Sequence, residues 1–289
     1  MSQNSQSSEN VIWGESNDSL LIGTDLNEEF GDNLGNDTAY GGAGDDYISL
    51  GRGNDVHYGG AGNDSLFGAE GSDTLDGGAG NDVLYGYSPY ENEIYSDDLD
   101  GGVDVASYAA ADTAVSVDLS ITAAQNTGGG GVDILSGMEG LIGSDYGDSL
   151  IGSSENNLIY GGGGNDTVQV GTGNDTVFGG SGTNTLSFAG YSGEVRVDLS
   201  LTTAQNYGYI YSYDYITITN FNNVIGNNGR NWLVGNSAAN LLQGGDNNDY
   251  LFGGDGNDTL DAGVGNNAVI WWRWYRHRNG CEFSLWRNN

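Results

Sequence analysis

Carboxylates recur every nine residues along much of this chain, each in the same glycine-rich setting. Between Gly41 and Tyr85 the phrases GGAGDDYIS, LGRGNDVHY, GGAGNDSLF, GAEGSDTLD and GGAGNDVLY follow one another without a gap. Their sixth places are Asp46, Asp55, Asp64, Asp73 and Asp82. Asp37 precedes the series, Asp148, Asp166 and Asp175 continue it, and Asp249 and Asp258 close it. Glycine holds the first, second or fourth places around them: Gly41, Gly42 and Gly44; Gly53; Gly59, Gly60 and Gly62; Gly71; Gly77, Gly78 and Gly80. Later copies repeat the pattern with Gly161, Gly162 and Gly164; Gly173; Gly244 and Gly245; and Gly253, Gly254 and Gly256. Aspartate is a hard anionic oxygen donor, and glycine leaves its own carbonyl oxygen accessible. Carboxylates with carbonyls are the ligand set of calcium, whereas magnesium demands strict octahedral geometry and keeps its waters.

Such loops need elements to hold them. Each phrase divides into a six-residue loop, where glycine permits a tight reversal, and a three-residue extended piece. In the extended piece the eighth residue points one way and its neighbours the other. Ile48, Leu66, Leu75, Leu84, Val168, Val177, Leu251 and Leu260 are then expected to form stacked aliphatic ladders, with flanking Thr, Ser, Tyr and Asp facing water. One phrase cannot bury its apolar residue alone, so stacking of neighbours is obligatory. If two phrases make one coil, Asp46, Asp64 and Asp82 form one column and Asp37, Asp55 and Asp73 another. Like charges on strands roughly 4.8 Å apart repel by roughly 1 kcal/mol in water and a few kcal/mol at an effective dielectric of about 20. A divalent cation between them reverses the sign, so binding and folding are expected to be one event.

Composition agrees. Forty acidic residues face seven basic ones, a formal charge of −33 over 289 residues, with 52 glycines and one proline. That charge repels nucleic acid and anionic membranes and attracts cations. The single Cys281 offers no disulfide framework. No apolar run is long enough to span a bilayer, and MSQNSQSSEN carries no cleavable signal peptide.

A longer period overlies the short one. DVASYAAADTAVSVDLSITAAQN (104–126) aligns with NTLSFAGYSGEVRVDLSLTTAQN (184–206), and the alternating V-x-V-D-L of each predicts a strand with one buried face. Residues 1–13 read as an unordered N-terminus, 14–85 as a first array and 86–142 as a connector with a VDLS segment. A second array spans 143–183, the duplicated VDLS segment 184–225 and a third array 226–270. YGYIYSYDY sets Tyr207, Tyr209, Tyr211, Tyr213 and Tyr215 in alternation, which predicts one aromatic strand face with a cross-strand packing role.

The nonapeptide resembles the RTX repeat, GGxGxDxUx, of hemolysin-type calcium-binding proteins. The resemblance covers most of residues 14–270. It implies an all-β chain, a parallel β-roll solenoid in three arrays joined by additional β segments, with several calcium ions held between successive loops. It also implies an extracellular protein exported by type I secretion on an uncleaved C-terminal signal. The sequence departs from the pattern at Asn157, Asn184, Asn231, Asn240 and Asn267, which stand at sixth places. The first array is therefore expected to bind calcium best.

The segment 271–289 is foreign to the rest: from Ile270 it reads IWWRWYRHRNGCEFSLWRNN, rich in Trp and Arg and without Asp. Because Trp has a single codon, Trp271-Trp272-Arg273-Trp274 read one base later encodes Gly-Gly-x-Gly, in register with the array. A frameshift in a longer repeat array accounts for this, and would remove any native C-terminal signal; an amphipathic export tail is the alternative. The gene's nucleotide sequence decides between them.

Nothing in the sequence forms a catalytic centre. His57 and His277 lie in no H-E-x-x-H motif, and GYSGE at 190–194 fails the G-x-S-x-G pattern at Glu194. His57 occupies an eighth place and reads as a core substitution. The expected function is a non-enzymatic calcium-binding role, structural or interactive. The alternatives are the repeat region of a secreted protease, lipase or alginate epimerase, or an adhesin module for cell-surface glycan or protein.

Overall fold

The computed structural model describes residues 10–32, 34–87, 102–208 and 214–271, and the backbone of 285–287. Residues 1–9 of the expected unordered N-terminus, 88–101 of the connector, and the tail beyond Trp271 apart from that backbone lie outside the described residues. The expectation of disorder fails at Val11–Trp13, which is a strand paired in parallel with Glu29–Gly31. Every strand or helix assigned among the described residues is a strand, and no helix is long and apolar enough to cross a membrane. The chain forms two compact units, Met1–Tyr146 and Gly147–Asn289.

In the first unit, successive extended pieces join alternate sheets. Val11–Trp13, Glu29–Gly31, Tyr47–Ser49, Ser65–Phe67, Val83–Tyr85 and Gly131–Ser136 pair in parallel, with Gln125–Gly128 added antiparallel at the edge. Leu20–Ile22, Thr38–Ala43, Val56–Ala61, Thr74–Ala79, Val105–Ser107 and Gly140–Ile142 form the other parallel set. Within the repeats each residue pairs with the one eighteen positions along, two phrases away, as in Ile48↔Leu66↔Leu84 and Ala39↔His57↔Leu75. Ile48, Leu66, Leu75 and Leu84 are buried in these ladders. Leu50, which replaces a first-place glycine, is also fully buried.

The second unit repeats the scheme. Leu150↔Val168↔Leu186↔Val224↔Leu242↔Leu260 make one row, Ile159↔Val177↔Ile218 a second, and Val197↔Leu233↔Leu251↔Val269 a third. Leu260 departs from expectation: it is only half-buried, because its strand Thr259–Asp261 ends its sheet and nothing stacks beyond it among the described residues. Asp76 also departs, being buried where a flanking Asp was expected to face water. The strand Val105–Ser107 stacks beside it, and Ser107 Oγ donates to its carboxylate at 3.3 Å.

The duplicated segments behave as their alternation predicts. Val115, Val117 and Leu119, like Val195, Val197 and Leu199, are buried. Each duplicate closes with the same clip: Asp118 N–H donates to Gln125 Oε1 (2.9 Å) and Asp198 N–H to Gln205 Oε1 (2.8 Å). The tyrosine alternation does not give one face. Tyr207 is buried, its hydroxyl donating to Gly171 O at 2.9 Å, whereas Tyr215 is exposed. Tyr207 follows the strand Gln205–Asn206, whereas Tyr215 opens the strand Tyr215–Thr219 that pairs antiparallel with it, so the two do not share a strand. Tyr209, Tyr211 and Tyr213 lie outside the described residues.

Candidate metal sites

The stacked strands bring the sixth-place aspartates into the two expected columns. Asp46 N–H donates to Asp64 Oδ1 (2.8 Å) and Asp64 N–H to Asp82 Oδ1 (2.9 Å). In the other column Asp37 N–H donates to Asp55 Oδ1 (2.8 Å) and Asp55 N–H to Asp73 Oδ1 (2.7 Å). The second unit adds Asp148 N–H to Asp166 Oδ1 at 2.9 Å and Asn157 N–H to Asp175 Oδ1 at 2.9 Å. Asp249 accepts from Asn231 N–H at 2.7 Å and Asp258 from Asn240 N–H at 3.1 Å. All these aspartates are buried except Asp258, which is half-exposed near the end of the last array.

Oδ1 of each accepting carboxylate is thus spent on the neighbouring coil. The other, Oδ2, is buried and without a hydrogen-bond partner in Asp37, Asp46, Asp55, Asp64, Asp166, Asp175 and Asp249. A buried carboxylate so exposed to desolvation resists ionisation. Burial pushes Asp37, Asp64 and Asp166 up to about 6, and Asp55, Asp82 and Asp175 up to about 7. The backbone N–H bonds pull the other way, and neighbouring carboxylates in the column add to the rise.

The orphan oxygens converge with carbonyls at the first-place glycines. A Cβ on Gly41 would lie 2.3 Å from Asp46 Oδ2 and 2.5 Å from Gly59 O. On Gly59 it would lie 2.3 Å from Asp64 Oδ2 and 2.7 Å from Gly77 O, and on Gly161 2.5 Å from Asp166 Oδ2 and 2.6 Å from Gly179 O. Gly244 repeats this with Asp249 Oδ2 at 2.5 Å and Ala262 O at 3.0 Å. Glycine here keeps a space lined by oxygen. The fourth place has a different reason: Gly62 has φ +146°, and a Cβ on it would meet Gly44 O at 1.7 Å.

Among the described residues no three His, Cys, Asp or Glu side chains converge on one point. Further donors at these spaces are therefore carbonyl oxygens. An all-oxygen set of carboxylates and carbonyls fits a hard cation such as calcium and lacks the nitrogen and sulfur that zinc or copper prefer.

The structure adds residues that the nonapeptide pattern does not contain. Asp133 extends one column, accepting Asp82 N–H at 3.0 Å, and Asp104 the other, accepting Asp73 N–H at 2.7 Å. Their signal was present: each stands two residues before a buried residue, Leu135 or Ala106, the spacing of sixth and eighth places. Asp133 terminates its column differently, for Oδ2 accepts the hydroxyls of Thr127 (2.7 Å) and Tyr108 (3.1 Å). Glu28, the sixth residue of a degenerate copy, starts that column by donating its N–H to Asp46 Oδ1 at 2.8 Å.

The fifth place, variable in the motif, forms a second ladder of opposite direction. Asn63 N–H donates to Asp45 Oδ1 (2.8 Å) and Asn81 N–H to Asn63 Oδ1 (3.1 Å), with Asn54 N–H to Asn36 Oδ1 (2.8 Å) on the other side. His57, by contrast, is a core residue: it is fully buried, stacked between Ala39 and Leu75, and burial pushes it down to about 3.

Parallel strands built from stacked nonapeptides, with aspartates and glycine carbonyls converging between coils, define a calcium-type repeat protein. The RTX calcium-binding nonapeptide repeat, in units of four copies, matches residues 22–56, 58–88, 142–177, 161–190, 225–260 and 234–269, more than half of the chain. The chain belongs to this family, a non-catalytic repeat. No curated protein matches the chain.

Proposed function

We propose that this protein is a calcium-dependent parallel β-roll with an extracellular structural or interaction role and no catalytic activity of its own. The observation that carries the reading is the stacking of buried carboxylates in columns, where Asp46, Asp64, Asp166 and Asp249 each keep Oδ2 unpartnered beside a first-place glycine. The alternation of strands between two sheets supports closure of the coil into a roll. In the first array Asp46, Asp64 and Asp82, with Asp37, Asp55 and Asp73 opposite, hold the ions together with carbonyls of the neighbouring glycines. Calcium supplies the positive charge that lets adjacent buried carboxylates ionise without repelling. The chain's own residues set the spacing, exclude competing side chains through glycine, and anchor each carboxylate through Oδ1.

We assign the three arrays to 14–85, 143–183 and 226–270, linked by the VDLS segments of 86–142 and 184–225, with 271–289 a separate tail. Family membership supports export by type I secretion, from a calcium-poor to a calcium-rich compartment, for a chain whose native C-terminal signal is in place. Exposed aromatic pairs such as Tyr40–Tyr58, stacked at 4.7 Å, turn their faces to one another, which favours strand cohesion over sugar stacking. Calcium titration of the first array, followed by amide protection of peptides from 41–85, tests the reading. Protection should appear only with calcium; full protection in excess chelator would sink it.

A further inference from the structure

Sixth places occupied by asparagine are built differently from those occupied by aspartate. Asn231 accepts Asn227 N–H on Oδ1 (3.2 Å), which turns its amide nitrogen to the opposite side. There Nδ2 lies 3.0 Å from Asn227 O, 3.0 Å from Gly229 O, 2.9 Å from Gly244 O and 3.0 Å from Asp249 Oδ1. These acceptors are the second- and fourth-place carbonyls of its own loop, a first-place carbonyl of the coil above, and the next carboxylate of its column. An N–H donor therefore stands among the oxygens that a cation would take.

The arrangement recurs. Asn267 accepts Asp249 N–H (2.8 Å) and donates to Ala262 O (2.9 Å) and Gly263 O (3.2 Å). Asn240 accepts Asn236 N–H (2.9 Å) and donates to Asn222 O (2.7 Å) and Asn236 Oδ1 (3.0 Å). Asn184 accepts Asp166 N–H (3.0 Å) and donates to Gly179 O (2.7 Å) and Asn220 O (3.1 Å). In each case the backbone N–H on Oδ1 fixes which way the amide faces, since the flipped side chain would set donor against donor.

We infer that these asparagine places are closed by their own amides and take no calcium, so that the third array, residues 226–270, keeps its stacked form without the ion. The inference rests on the calcium reading of the aspartate columns and sets its limit. Two conditions distinguish the third array from the first. Its carbonyls are satisfied by N–H donors, which removes the cost of burying them unpaired. Its column also lacks adjacent carboxylates: Asp249 lies between Asn231 and Asn267, with Asp246 of its own loop as the charge nearby, whereas Asp64 lies between Asp46 and Asp82. Without like charges adjacent in the column, the stack needs no cation to hold it.

Hydrogen–deuterium exchange on the full chain, read peptide by peptide in excess chelator and again with calcium chloride, tests this. Peptides from 226–270 should be protected in chelator, while those from 41–85 should gain protection only on adding calcium. Protection of 226–270 that appears only with calcium, together with the first array, overturns the inference and leaves the calcium reading intact. Protection of 41–85 in chelator removes the calcium reading itself, and the contrast with it. The double variant Asn231→Asp, Asn267→Asp should lose its chelator-resistant protection in 226–270 and recover it with calcium. A variant as protected in chelator as the parent also overturns the inference.

Discussion

At the scale of the residue, the identity of the sixth place decides whether a loop is complete by itself. A carboxylate leaves Oδ2 buried and unpartnered, as in Asp64, while an amide turns a donor to the same carbonyls, as in Asn231. Substitutions should therefore differ by position. Asp64→Ala removes a group shared by two successive loops and is expected to lower calcium affinity more than Asp258→Ala, whose column neighbour is Asn240. Isothermal titration of both variants checks this, and equal losses would contradict the column assignment. His57 is a second residue-scale case. Its ring nitrogens are buried without hydrogen-bond partners, and such burial costs about 1–3 kcal/mol. His57→Leu should raise the denaturation midpoint of the calcium-loaded protein; an unchanged or lower midpoint would mean that the imidazole is used.

At the scale of the element, a three-residue strand has no stability alone and draws it from rungs on either side. Leu66 lies between Ile48 and Leu84 and is fully buried, whereas Leu260 closes its sheet and is half-buried. Leu66→Ala is expected to cost about 2–5 kcal/mol, in the range for buried leucines, and Leu260→Ala clearly less. Chemical denaturation in calcium measures both, and a larger loss at Leu260 would refute the ladder argument. Two polar ladders bracket each turn, the fifth-place side chains reaching one way along the stack and the sixth-place ones the other. Together they fix the spacing of eighteen residues that aligns the carboxylates in columns.

At the scale of the whole molecule, charge sets the conditions for folding. The chain carries a net −33, and burial raises the folded-state pKa of Asp64 to about 6 and of Asp55, Asp82 and Asp175 to about 7, against an ordinary value of 3.8. A raised folded pKa means that the folded state binds protons more tightly than the unfolded one. The resulting stabilisation is complete below the unfolded pKa and is lost as pH rises through the folded values. In chelator, then, the first array should be more ordered at about pH 5 than at about pH 7.5, a proton standing in for the cation. Circular dichroism across that range checks the sign; order that increases with pH would exclude it.

Much of this was legible in the sequence because the repeat is local. A nine-residue phrase with a buried eighth place implies stacking, and an offset of eighteen follows once two phrases make a coil, which is why Asp46, Asp64 and Asp82 could be aligned in advance. The tertiary structure showed what continues the first array's two columns past Asp73 and Asp82, for Asp104 and Asp133 lie outside the repeats and only their spacing before Ala106 and Leu135 hints at the role. It also separated Tyr207 from Tyr215, one buried and one exposed, although their alternation looked continuous. Above all it decided what asparagine does at a sixth place. Composition says only that a charge is missing; the direction of the amide depends on the backbone N–H that holds Oδ1 and on the carbonyls it meets, and at each of Asn184, Asn231, Asn240 and Asn267 at least one of these comes from another coil.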